Sequence, residues 1–91
     1  MIVDKVVVNN KAGLHAKPAS LFVQKANQFK SEVYIKKDAT RVNAKSIMGV
    51  MILAVQKGDE IEIEASGEDE KKAVEQLKEM IEKRFDFVDE I

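Results

Sequence analysis

The sequence contains no cysteine, which excludes disulfides and thiolate-bound zinc. It has a single histidine, so no paired-imidazole metal site can form, and no metal or cofactor is expected. Positive charge is not in excess. Fifteen basic residues face sixteen acidic ones, for a net charge of −1, which argues against nucleic acid as a partner. Tryptophan is absent and tyrosine occurs once. No apolar run approaches the ~18 residues that a membrane span needs, so no membrane insertion is expected. Met1-Ile2-Val3-Asp4 lacks the basic start and apolar stretch of a signal peptide. A cytoplasmic location follows as the expectation. One proline, four glycines and no repeat or low-complexity tract leave no linker to divide the chain. At 91 residues it reads as one domain, 1–91.

What is present is a succession of short elements. Ile2 to Val8 is rich in β-branched residues and reads as a strand, with Val6 and Val8 on one face. Asn9 to Gly13 is turn chemistry. A helix is expected from Ala16 to Phe29, with Pro18 in its first turn and Ala19, Phe22, Val23, Ala26 and Phe29 as its apolar stripe. Glu32 to Lys37 and Thr40 to Asn43 read as a hairpin around Lys37-Asp38-Ala39. Ser46 to Val55 reads as a short helix with Ser46 as N-cap, ended by Lys57-Gly58-Asp59. Val50, Leu53 and Ala54 are its expected core residues, and Ile52 fits either core or surface. Glu60 to Ala65 alternates without a break, with the glutamates outward and Ile61, Ile63 and Ala65 inward.

The last helix is expected from Asp69 to Arg84 or Phe85. Val74, Leu77, Ile81 and Phe85 form its stripe, and Phe87 and Val88 continue beyond it. The order is β-α-β-β-α-β-α. Each strand has one apolar face, which predicts an α+β fold: an open-faced, two-layer sandwich with a four-stranded antiparallel sheet and three helices on one face.

His15 lies in Gly13-Leu14-His15-Ala16-Lys17-Pro18-Ala19, a turn that opens a helix. Unpaired N–H groups and the positive end of the helix dipole favour negative charge placed there, such as a phosphoryl group on the ring. Lys17 adds a cation. The plainer alternative, an ordinary surface histidine at a helix start, stays open on the residues alone. A second segment, Asn43-Ala44-Lys45-Ser46-Ile47-Met48-Gly49-Val50-Met51, carries more methionine and isoleucine than one buried face needs. Flexible methionine suits a surface that fits several partners. Ile47, Met48 and Met51, with Ala16, Ser20 and Gln24, form a candidate docking patch; burial of all the apolar ones in the core is the alternative.

These two segments, at this separation and over essentially the whole chain, resemble the HPr family, the histidine-containing phosphocarriers of the bacterial phosphotransferase system. The first is similar to that family's active-site motif, the second to its regulatory-serine region. The resemblance implies that His15 accepts a phosphoryl group at Nδ1 (a pros-phosphohistidine) from enzyme I and passes it to enzyme IIA domains for sugar uptake. The chain would be a carrier and would catalyse no turnover by itself. It implies regulatory phosphorylation of Ser46 by HPr kinase/phosphorylase, with the product binding the catabolite control protein CcpA. One position departs: the family usually has arginine where this sequence has Lys17, and arginine grips phosphate with a planar fork that lysine lacks. A Crh-like or nitrogen-branch regulatory paralogue, acting by protein–protein binding, is the alternative; Crh-type proteins lack the active histidine. An RNA-reading sheet of the same element order is disfavoured, because Ile2 to Val8 and Thr40 to Asn43 contain no aromatic for base stacking.

Overall fold

The computed structural model describes residues 1–85; the segment 86–91, with Phe87 and Val88, lies outside the described residues. Strand β1 spans Ile2–Val7, helix α1 Ala16–Ala26, β2 Glu32–Lys37, β3 Thr40–Asn43, α2 Ile47–Leu53, β4 Glu60–Ser66 and α3 Glu70–Glu79; a π-helical turn, Met80–Arg84, continues α3. All strand pairs are antiparallel, in the order β1-β4-β2-β3. The expected open-faced α+β architecture is the one observed.

Alternation in β4 sets the layers. Ile61, Ile63 and Ala65 are buried under the helices with Val6, Val33 and Ile35 from neighbouring strands. Glu62 and Glu64 lie on the opposite face, flanked in register by Lys5 and Lys36, and by Val3 and Tyr34. There the Arg41 guanidinium stacks 3.6 Å from the Tyr34 ring centre and its Nε lies 3.3 Å from Glu64. Phe22 from α1, Val50 and Leu53 from α2, Val74 and Leu77 from α3, and Ile81 and Phe85 close the core from the helical side.

Four boundaries differ from expectation. Helix α1 ends at Ala26 rather than Phe29. The Asn27 side-chain amide donates to Val23 O at 2.9 Å and to Lys45 O at 3.1 Å, which turns the chain and still buries Phe29. Helix α2 stops at Leu53, because Ala54 adopts a left-handed conformation at φ 55°. Ala54 is therefore exposed and not a core residue, while Val50 and Leu53 are buried as expected. Asp69 is the N-cap residue of α3 rather than part of the helix, and its side chain makes no capping hydrogen bond. Its carboxylate instead accepts the backbone N–H groups of Lys30 and Ser31, both at 2.9 Å, and the Ser31 hydroxyl. Those bonds, led by the one from the Ser31 hydroxyl, hold the Asp69 carboxyl at a pKa of about 2, below its ordinary 3.8. The final turn of the last helix widens into a π-turn at Met80–Arg84, with Ile81 and Phe85 still inward.

Candidate functional site

The turn bearing His15 is built against the segment that follows α2. Val8 N–H donates to Asp59 O at 2.9 Å and Gly58 N–H to Val8 O at 2.6 Å, which zips the end of β1 to the start of β4. Asn10 is buried and its side-chain amide donates to Gly13 O at 2.9 Å. Leu14, fully buried, donates its N–H to Val55 O at 3.0 Å. Gly13 sits at φ 62°, and a Cβ there would stand 2.3 Å from Val55 O. Only glycine fits both the left-handed turn and the close approach. The Lys37 ammonium supports the Val55 segment from beneath. It donates to Ala54 O at 2.9 Å and lies 3.0 Å from Asp59. The Asp59 carboxyl is held below its ordinary range, first by the Gln56 N–H and then by the Lys37 hydrogen bond.

His15 is the N-cap residue of α1, extended at φ −122° and ψ 160°, and its side chain makes no capping hydrogen bond. The imidazole is half-buried and is left available for other chemistry. Ala16, the first residue of α1, takes φ 53°. Such a conformation costs an L-residue about 1–2 kcal/mol, and the composition of the motif gave no sign of it. Pro18 and Ala19 are buried and fix the first turn, while Lys17 is exposed.

Ser46 is the N-cap of α2, as expected. Its hydroxyl oxygen accepts the Gly49 N–H at 3.1 Å and its carbonyl accepts the Val50 N–H at 3.0 Å. Lys45 reaches back with its ammonium to Phe29 O at 2.8 Å, tying this corner to the end of α1. Ile47, Met48, Met51 and Ile52 are exposed, Met48 and Ile52 by 70% and 71%, so Ile52 belongs to the surface. On α1, Ala16 and Gln24 are exposed and Ser20 is half-buried, with the Gln24 side-chain amide donating to Ser20 Oγ at 3.2 Å. Ser46 begins α2 and the His15 turn rests on Val55 just past its end. The two sites therefore lie toward opposite ends of the seven-residue helix, which is about 10 Å long.

Residues 2–83 match the family model described as the PTS HPr component phosphorylation site. The chain belongs to the HPr family. It is 56% identical over 77 residues to the HPr-like protein Crh of Bacillus subtilis, covering 85% of this chain and 91% of that protein. It is 48% identical over 81 residues to the phosphocarrier protein HPr of Neisseria meningitidis, covering 89% and 91%. In structure it superposes on HPr-C-His from Thermoanaerobacter tengcongensis with a TM-score of 0.91, at 46% identity, covering 93% of this chain and 96% of that one.

An HPr-family chain therefore carries its lone histidine on a braced turn. Two further side chains at that turn escaped sequence reasoning. Lys11 and Lys57 line a surface hollow of about 320 Å³ together with Ala12, His15 and Gln56. They are far apart in sequence, and only the pairing of β1 with β4 brings them together. Among the described residues no cluster of His, Cys, Asp or Glu could hold a metal ion, and no helix is long and apolar enough to cross a membrane.

Proposed function

We propose that this chain is a phosphocarrier in which His15 accepts a phosphoryl group from phospho-enzyme I and donates it to enzyme IIA domains for sugar uptake. The observation that carries the reading is a half-exposed imidazole at a helix start whose side chain caps nothing. On acceptance a lone pair on a ring nitrogen of His15, Nδ1 by the family resemblance, attacks phosphorus as the bond from phosphorus to the donor breaks; on donation the acceptor's nucleophile attacks phosphorus and the Nδ1–phosphorus bond breaks. The braced turn holds the ring oriented before the partner arrives, which lowers the entropic cost of transfer. The Lys17 ammonium supplies phosphoryl-stabilising charge on a flexible stem. The exposed Ile47, Met48 and Met51, with Ala16, Ser20 and Gln24, form the surface on which the partners dock.

Ser46 is the regulatory site in this reading, modified by HPr kinase/phosphorylase, with the modified form binding CcpA. A phosphate there adds about two negative charges at a helix start that tolerates them. The phosphate acts on docking at Ile47 and Met48, the first two residues of α2.

The identity to Crh supports a second reading, a regulatory paralogue working through Ser46 and protein–protein binding. A nitrogen-branch paralogue would need its own enzyme I. One experiment separates them. The protein is incubated with phosphoenolpyruvate, Mg²⁺ and a bacterial enzyme I, and scanned by mass for an acid-labile, base-stable phosphoryl group, with His15→Ala as control. A mass shift that disappears in the variant supports the carrier. No shift, while an authentic HPr is labelled in parallel, favours the regulator.

A further inference from the structure

Hollows elsewhere on the surface mix both signs of charge. The one beside β1 brings Lys5 and Lys78 against Glu60 and Glu82, and another sets Lys25 and Arg84 beside Glu79. The hollow at His15 is different. Among the described residues its charged lining is Lys11 and Lys57, with no carboxylate. The nearest acid in sequence, Asp59, is engaged by the Gln56 N–H at 2.8 Å and the Lys37 ammonium at 3.0 Å. Neither Lys11 nor Lys57 takes part in an ion pair among the described residues. The two loops that carry them are locked together by the Leu14–Val55 and Val8–Asp59 hydrogen bonds, so the walls are fixed relative to the imidazole. Two ammonium groups with no ion pair among the described residues, lining one hollow with a nucleophilic ring in a chain of net charge −1, suit a compact dianion.

We infer that Lys11 and Lys57 hold the oxygens of the phosphoryl group carried by His15, sharing with Lys17 the charge that a single arginine would supply. This rests on the carrier reading but concerns a different question, which residues touch the bound group. Both lysines are exposed and hydrated, so each contributes modestly and the contribution falls with salt.

Chemical phosphorylation isolates the contact from partner docking. Potassium phosphoramidate serves as donor: the ring nitrogen attacks phosphorus, the phosphorus–nitrogen bond of the donor breaks, and ammonia leaves. Phosphorus NMR then follows the second ionisation of phosphohistidine in the isolated full chain. The lysines favour the dianion. In the Lys11→Met, Lys57→Met double variant the titration midpoint moves up by about half a pH unit at low salt. The difference shrinks in 0.5 M salt, as about 4–5 Å of Debye length leaves little of it. Lys11→Arg with Lys57→Arg restores the original midpoint, and Lys72→Met with Lys83→Met, both on the exposed side of the last helix, leaves it unmoved. A midpoint unchanged in the Met double variant overturns the inference and leaves the carrier reading standing. Failure of enzyme I to label the native chain, with the midpoint shift present, overturns the carrier reading alone.

Discussion

Replacing Gly13 by alanine tests whether the seam under His15 is energetically real. The substitution has two separable costs. An L-residue at φ 62° costs about 1–2 kcal/mol in backbone conformation. The new Cβ would also stand 2.3 Å from Val55 O and 2.9 Å from Gln56 Cα, both backbone atoms that cannot rotate aside. Restoring an ordinary carbon–oxygen separation of about 3.3 Å requires the two segments to part by roughly 1 Å. That stretches the Leu14 N–H to Val55 O bond beyond hydrogen-bonding range, from its present 3.0 Å. Losing it at a buried position costs about 1–3 kcal/mol.

The total is about 2–5 kcal/mol, a large share of the stability of a small domain. Gly58→Ala provides the comparison, because its φ is 96° and no atom lies within 4 Å of the added Cβ. It bears the backbone cost alone, about 1–2 kcal/mol. Urea denaturation of the three proteins reads the difference directly, provided the m-values agree. Phosphoryl transfer should fall further than stability does, since a 1 Å displacement of a reacting group can cost about a hundredfold in rate. If Gly13→Ala is no less stable than Gly58→Ala, the close approach carries no energy and the bracing argument fails.

Three more outcomes are expected. Ser46→Ala should lose about 1 kcal/mol through the missing cap, while Ser46→Asp should retain it, measured by thermal melting with the site unmodified. Asp69 has a depressed carboxyl in the folded chain, so its contribution is fully present above its ordinary pKa of 3.8 and disappears as the pH falls toward about 2. In Asp69→Asn the acid limb of the stability curve between those values should flatten; an unchanged limb would assign the acid sensitivity elsewhere. Lys17→Arg should speed transfer by orienting the phosphoryl group with a planar fork, and an unaltered rate would show that lysine orients it as well.

The strands were legible because their pattern is local. Glu60 to Ala65 alternates over a full strand, and Ile2 to Val8 needed only one residue trimmed. The apolar stripe Val74, Leu77, Ile81 and Phe85 is buried in full, π-turn included. Helix ends were less legible because distant groups set them. No glycine or proline marks the end of α1; Asn27 does it by bonding to Lys45 O, across the chain. Ala54 terminates α2 in a left-handed conformation usually given to glycine, with Lys37 bonded to its carbonyl, so Gly58 was too late a stop signal. Asp69, expected as the first residue of the last helix, spends its carboxylate on Ser31, thirty-eight residues away. At the site, His15, Lys17 and Ser46 stand in recognisable segments. Lys11 and Lys57 do not, because neither has local company that marks it.

The position of β1 has a consequence for how the protein comes into being. Ile2 pairs with Ala65 and Val7 with Glu60, so β1 has no partner in this sheet until β4 is made. Closing that long loop is slow relative to the hairpin of β2 and β3. The turn around His15 depends on the same event, because Val55 and Asp59 supply its bonds. A nascent chain with its first helix already coiled would thus still lack an ordered histidine. An ordered His15 turn arrives only with the closure of the sheet.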